Sequence, residues 1–462
     1  MLQAWKSAFH QMENNVAIVA ANQKTVETPP QAPLPAFSSE QLLSLGEVCN
    51  KQDQIDSGDM ELRLSAIYTY FGQFIAHDIA KFSNQNHQPS DTFFGIARAF
   101  NNIANPLNLE SLYGNDNIGI DKRGKFCLFS KDGVNRYDIP RDNNGTPLLA
   151  DERNDQNLLI SQFTLIWMRY HNHLIQSGKS FEEAKRQTKN VYHYLIKWDF
   201  LKKIMFEDLW SLYFGDETAA PAIQLDAANS DIPAAFHSAT FRFGHNMVRH
   251  FYAIGQQRGV TLSEILAKTN HGGFGRSDLR IVSDAPMNKL YRVNWHTFIN
   301  DPTNKAMELS AKVKINVPQL TSREFISMST RNLMRAHDFG VADAQTYIER
   351  YIRYYPQLKR YFSYFTAPQY WLFSGFTHTD LIPERYTLFN STPLWFYILR
   401  EGAKLRSLVR SHSSDLYGKK GILGPLGSLI VGQVFSKLLQ DTNTSHSTFT
   451  SIEELAKFTK SV

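Results

Sequence analysis

Cysteine is nearly missing from this chain. The 462 residues hold Cys49 and Cys127 in no paired metal-ligand spacing, so neither a disulfide framework nor a zinc knuckle is indicated, and a reducing compartment fits. Long apolar runs are also lacking. The best stretch near the end, 421–435, is broken by Gly, Pro, Ser and Gln and falls short of the roughly 20 residues a membrane-spanning helix needs. A soluble protein is expected, with at most peripheral membrane contact. The start has no charged segment leading into a sufficient apolar stretch, because residues 16–21 are short and follow Glu13, Asn14 and Asn15; no signal peptide is expected and a cytoplasmic location is. Net charge is +5, yet no long Lys/Arg run tracks a phosphate backbone, which argues against nucleic acid as a partner. There is no internal repeat and no βαβ alternation, which argues against a nucleotide-binding α/β fold.

Aromatic residues are plentiful. They make up 13% of the chain, with 32 Phe and 20 Tyr. Most of them belong to a core, but such a chain can also wall a flat apolar cofactor. The segment 28–35 (TPPQAPLP) cannot continue a helix, because each proline removes a donor and restricts the residue before it. It reads as an extended arm, placing an N-terminal arm at 1–60 and one large, mainly α domain with few short strands at 61–462. Helical patterns are predicted over 64–80, 157–176, 181–214, 241–252, 329–334, 393–408 and 426–439. The region 83–147 is punctuated by Asn, Gly and Pro and reads as loop-rich.

Four motifs carry chemistry. In Tyr70-Phe71-Gly72-Gln73-Phe74-Ile75-Ala76-His77-Asp78, Gln73 and His77 share a helix face, while Asp78 is turned by roughly 100° from His77. Histidine has the pKa range to take a proton from a peroxide and return it to the departing oxygen. In Asp151-Glu152-Arg153-Asn154, a permanently charged guanidinium suits developing negative charge. In Phe241-Arg242-Phe243-Gly244-His245 and Arg331-Asn332-Leu333-Met334-Arg335, a neutral imidazole can bind haem iron, with the Asn332 carbonyl orienting its second nitrogen. Taken singly, each has a plainer structural reading: a core histidine, a surface salt bridge, a hydrogen-bonded Asn. His171-Asn172-His173 looks like a metal pair, but alternate helix positions diverge too far for chelation. His193 reads as a hydrogen-bonded core residue.

In this order the four motifs resemble the animal-type haem peroxidases of the peroxidase–cyclooxygenase superfamily, in particular a bacterial branch. The likeness runs from about Tyr68 to Leu439 and takes in Arg169-Tyr170-His171-Asn172, Pro393 through Glu401, and Leu423-Gly424-Pro425-Leu426-Gly427. The resemblance implies His77 as acid/base, Gln73 beside it, Arg153 as the distal cation, His245 as iron ligand and Asn332 as its partner. Arg242 and Arg335 would face the haem propionates. Family members that tether haem by esters use an Asp and a Glu where this chain has Ala76 and Gln156; non-covalent haem b is therefore expected. The family's calcium site maps onto Asp78 and the loop 104–114, where Ala104, Asn108 and Glu110 replace the usual Thr, Asp and Ser ligands. An altered calcium site using Asp78, Asn108 and Glu110, and a lost one with the loop kept for packing, both stay open.

The resemblance implies a peroxidase that reduces hydrogen peroxide or an organic hydroperoxide while oxidising a small-molecule or lipid donor. The fatty-acid dioxygenases of the superfamily carry a radical-forming Tyr where this chain has Arg242, which favours peroxidase, although Tyr252 or another aromatic can in principle carry a radical. The alternatives are a haem-dependent fatty-acid dioxygenase and a non-catalytic haem or lipid-binding protein.

Overall fold

The structure is a computed structural model, and it describes residues 37–51, 63–84, 99–114, 116–128, 138–142, 146–215, 220–226, 231–255, 257–267, 292–318, 325–365, 371–374, 376 and 385–459. The proline-rich segment 28–35 lies outside these. Helices dominate, as the sequence predicts. Among the described residues the strands form three two-stranded antiparallel ribbons: Phe82–Asn84 with Ala99–Asn101, Phe251–Ile254 with Gln257–Thr261, and Asn316–Pro318 with Phe325–Ser327. No described helix is long and apolar enough to cross a membrane.

Eight helices frame the argument: α1 Ser39–Asn50, α2 Ile67–Ile79, α3 Leu158–Gln176, α4 Phe181–Leu195, α5 Met328–Asp338, α6 Leu394–Arg410, α7 Pro425–Leu438 and α8 Ile452–Phe458. Their starts follow local chemistry. The Asn157 side chain accepts from the Ile160 amide at 2.9 Å and begins α3, and Ser180 with Glu183 forms a capping box for α4. Ser327 caps α5, and Pro425, whose missing N–H costs nothing in a first turn, opens α7.

Helix α2 is apolar almost all round, so it must be central. Phe71 and Phe74 are fully buried against Phe163 and Trp167 of α3 and Tyr192 of α4, with Phe74 and Trp167 stacked at 6.1 Å between centroids. Burying each such ring contributes about 1.5–3 kcal/mol, and this cluster fixes the helix that carries His77.

Three local expectations are corrected. The pattern over 241–252 is not an α-helix. A π turn at Ala235–Ala239 runs into a 3-10 segment at Thr240–Met247, after which Val248 is extended and the chain enters the strand Phe251–Ile254. Within that segment apolar side chains recur closely enough to imitate an α period, while Tyr252 is claimed by ribbon pairing with Val260. The stretch 181–214 is likewise not one helix: a π turn at Ile196–Leu201 and an extended Met205 separate α4 from a helix at Glu207–Phe214. Residues 39–50, within the segment read as an arm, form α1, which buries Leu42, Leu45, Val48 and Cys49 and packs along α5.

Candidate functional site

The four motifs converge. Helix α2 packs on the 3-10 segment holding His245 and on the turn Glu152–Asp155 before α3, while α5 packs on the π turn just ahead of His245. The charge of Arg153 is felt by His77, Arg242 and Arg335, so side chains from all four motifs share one electrostatic neighbourhood.

His77 is buried, and its Nδ1 lies 2.9 Å from the Asn154 Oδ1. The Asn154 amide nitrogen donates to the Ser111 carbonyl at 3.1 Å, which orients the amide with its oxygen towards His77. An acceptor there selects the tautomer protonated at Nδ1 and leaves the Nε2 lone pair as the basic site. Burial, then the Arg153 charge, push the His77 pKa down to about 4, so the imidazole is neutral at ordinary pH.

Arg153 stands beside His77, but most of its donors are committed. Nε and Nη2 bind the Asp151 carboxylate at 3.0 and 2.7 Å, Nη2 also reaches the His77 carbonyl at 2.8 Å, and Nη1 reaches the Ala80 carbonyl at 2.7 Å. The guanidinium closes the C-terminal end of α2, where a cation is favoured. Gln73 sits one turn before His77 and makes two long contacts, donating to the Gln156 Oε1 at 3.4 Å and accepting from the Asn157 Nδ2 at 3.4 Å. Gln156 thus faces the helix that carries Ala76, with an amide at the position of the tethering carboxylate.

The His245 Nδ1 lies 3.2 Å from the Asn332 Oδ1, repeating the His77–Asn154 pairing and leaving Nε2 without a hydrogen bond among the described residues. Burial, reinforced by Arg242 and Arg331, pushes the His245 pKa down to about 3. A neutral imidazole with a fixed Nδ1–H and a bare Nε2 is what an iron ligand requires.

Around His245 the charge is one-sided. Burial and the charges of Arg335, Arg331 and Arg153 hold Arg242 well below the usual guanidinium range. Arg335 is pushed down to about 10 by burial and by Arg331 and Arg153, and Asp338 offsets this in part; burial lowers Arg331 too. Among the described residues Arg242 donates to the His237 carbonyl at 3.0 Å, Arg335 lies over the Phe339 ring, and none of the three arginines makes a salt bridge. Desolvating a cation costs on the order of several kcal/mol. Three in one place, with no carboxylate bonded to any of them among the described residues, therefore suit an anionic occupant.

The expected calcium ligands do not converge. The Asp78 oxygens accept from the amides of Leu109 at 2.9 Å and Ser111 at 3.1 Å. Glu110 turns back onto the amides of Asn105 and Ala104, and the Asn108 Oδ1 accepts from the Lys189 ammonium at 2.8 Å. No group of three or more His, Cys, Asp or Glu suited to a metal occurs among the described residues.

The family model for animal haem peroxidase matches residues 114–354. The chain belongs to that family. The matched span includes Arg153, Arg242, His245, Asn332 and Arg335, and the His77 motif precedes it. No curated protein matches the sequence. Among solved structures, the fatty acid alpha-dioxygenase of Oryza sativa shares the fold with a TM-score of 0.54 and 12% identity, over 92% of this chain and 78% of that one. A variant of that enzyme solved with palmitic acid gives 0.55 and 13%, with the same coverage. Peroxidase A from Dictyostelium discoideum aligns over 94% of this chain and 90% of its own at 15% identity, with a TM-score of 0.49. Family membership implies haem binding, and the His245 Nε2 and three arginines without hydrogen-bonded carboxylates among the described residues fit an iron porphyrin with two carboxylates.

Asn154 and Asp151 were not singled out from the sequence, although both stand beside Arg153; Asn154 meets His77 and Ser111 across long stretches of chain, whereas Asp151 pairs with Arg153 itself. His171 is bonded at both ring nitrogens, to the Tyr113 hydroxyl at 3.0 Å and the Gly124 carbonyl at 2.8 Å, and His193 bonds the Leu107 carbonyl at 2.7 Å. Both have the structural roles expected of them. Tyr252 accepts at its hydroxyl from Tyr70 at 3.0 Å and from the Arg249 amide at 2.9 Å.

Proposed function

We propose that the protein is a peroxidase that holds haem b without covalent tethers, through His245, and reduces hydrogen peroxide or an organic hydroperoxide at the expense of a one-electron donor. The observation carrying this reading is the cluster of Arg242, Arg331 and Arg335 beside a neutral, Asn-oriented His245, with no salt bridge to any of the three among the described residues. A porphyrin dicarboxylate supplies the missing anionic charge. Bound haem supplies the redox-active metal at which a peroxide is reduced and single electrons are drawn from a donor.

The residues divide the remaining work. Asn332 holds Nδ1–H of His245, which leaves Nε2 as the atom that would bind the haem iron. His77, neutral and fixed by Asn154, takes a proton at Nε2 from one peroxide oxygen and returns it to the departing one; two further protons and two donor electrons then give water and water, or water and an alcohol. Arg153 keeps His77 from charging prematurely and holds the end of α2, with one N–H of Nη1 bonded to nothing among the described residues and so open to the substrate. Ala76 and Gln156 have no carboxyl with which to form an ester.

The test is purified, haem-loaded protein followed by absorbance before and after peroxide. His77→Ala is expected to keep the Soret band and slow the peroxide step by about 10²–10⁴-fold. An unchanged rate removes His77 from the mechanism, and haem that resists extraction into acidified butanone overturns the non-covalent assignment. Oxygen uptake with linoleate and no added donor would assign a dioxygenase instead.

A further inference from the structure

The loop following Asp78 is built around a cation that the protein itself supplies. At its heart Leu107 and Leu109 both adopt left-handed backbone, with φ of 63° and 57°, a conformation that costs a branched side chain about 1–2 kcal/mol each and persists where the surroundings impose it. Three sets of contacts do so. The Asp78 carboxylate takes the amides of Leu109 and Ser111. Helix α4 contributes two side chains one turn apart: His193 bonds the Leu107 carbonyl at 2.7 Å and Lys189 bonds the Asn108 Oδ1 at 2.8 Å. Glu110 closes the other end on Asn105 at 2.7 Å through the side-chain amide, as well as on the backbone of Ala104 and Asn105.

These contacts leave a divalent ion poorly served. Calcium asks for six to eight oxygens at about 2.3–2.6 Å. Here the Asp78, Asn108 and Glu110 oxygens are each directed at an N–H donor. A divalent ion on Asn108 would also stand against the Lys189 ammonium, which already lies in the field of Asp78. Replacing an acid by the neutral Asn108 removes charge that an ion would need, whereas a single ammonium is matched by one carboxylate and one amide oxygen.

We infer that the Lys189 ammonium takes the place of the family's calcium ion, so that this loop is locked by a protein cation and is independent of metal. The lock reaches the proposed proton-moving site, because the Ser111 carbonyl of the same loop orients Asn154, which orients His77.

Metal analysis and thermal melts of the haem-loaded protein test this without any activity readout. Calcium is expected to be substoichiometric, and neither a chelator nor millimolar calcium should move Tm. Lys189→Met should lower Tm by about 2–4 °C, Lys189→Arg should restore most of the loss, and Lys189→Met combined with Asn108→Asp should make Tm rise on addition of calcium. Stoichiometric calcium that survives dialysis, a Tm that falls in chelator, or Lys189→Met melting like the parent would each overturn the inference. The metal and chelator arms use the unaltered protein and decide the matter even if a variant does not fold.

Discussion

Two histidines with the same local pairing do different work because of the charges around them. His77 and His245 each present Nδ1 to an Asn oxygen, and both are neutral through burial. His245 lies in the field of guanidinium groups that make no salt bridge among the described residues, while the Arg153 beside His77 is matched by Asp151. In the proposed mechanism the Asn154 contact is therefore the residue-scale feature that would make His77 a directional base. Asn154→Ala is expected to slow the peroxide step by roughly 10-fold, well short of the 10²–10⁴-fold associated with losing the base itself, with haem binding unchanged. Asn154→Asp places a negative charge on Nδ1–H, which favours the imidazolium and raises the His77 pKa. The acid limb of the rate profile, near pH 4 in the parent, should then move towards neutrality. A pH–rate series on the peroxide step reads this directly, and an unmoved acid limb would show that Asn154 does not act on His77.

Elements are joined here by buried ionisable groups placed at helix ends. The turn before α3 is held by Arg141, which grips Asp155 at 2.8 and 2.9 Å and Asp138 at 2.6 Å, so the backbone carrying Arg153 and Asn154 is rigid. Glu401 of α6 accepts from the amides of Leu426 and Gly427 at 3.0 and 3.2 Å and so caps α7. Burial overrides those bonds and pushes the Glu401 carboxyl up to about 8. The folded state thus holds a proton that the unfolded chain releases near its ordinary value of about 4.5. Between those two values the native state binds more protons, and stability falls as pH rises. Glu401→Gln, which keeps an acceptor and cannot ionise, should lose less Tm than the parent between pH 5 and 8, by roughly 2–4 °C. Parallel melting curves for the two proteins would refute the assignment.

At the scale of the whole molecule, a large aromatic core ties both ends of the described chain to the site. Helix α8 packs on α2 and α3, and α1 lies along α5, the helix of Asn332. That second approach is close: a Cβ at Gly46 would sit 2.2 Å from the Thr330 Oγ1 and 2.7 Å from its Cα. Gly46→Ala must therefore push α5, and with it Asn332, away from its place. We expect a loss of about 1–3 kcal/mol in denaturant unfolding, together with a shifted Soret band from a displaced His245 partner. A spectrum and stability equal to the parent would mean that α1 does not position α5.

Helix periods over α2, α3, α6 and α7 and the order of the His77, Arg153, His245 and Asn332 motifs were legible from residue types alone, because each depends on neighbours within a turn or on motif order. The pairings were not. His77 meets Asn154 across 77 residues and His245 meets Asn332 across 87, and no local period encodes such a contact. The sequence read Arg153 as a distal cation with a salt bridge as its plainer reading, where the folded chain spends it largely on Asp151, two residues away, and on the end of α2. It left calcium open, where folding brings Lys189 of α4 onto Asn108. Residue identity determined which chemistry was available to this protein, and tertiary packing decided which of those groups were free to perform it.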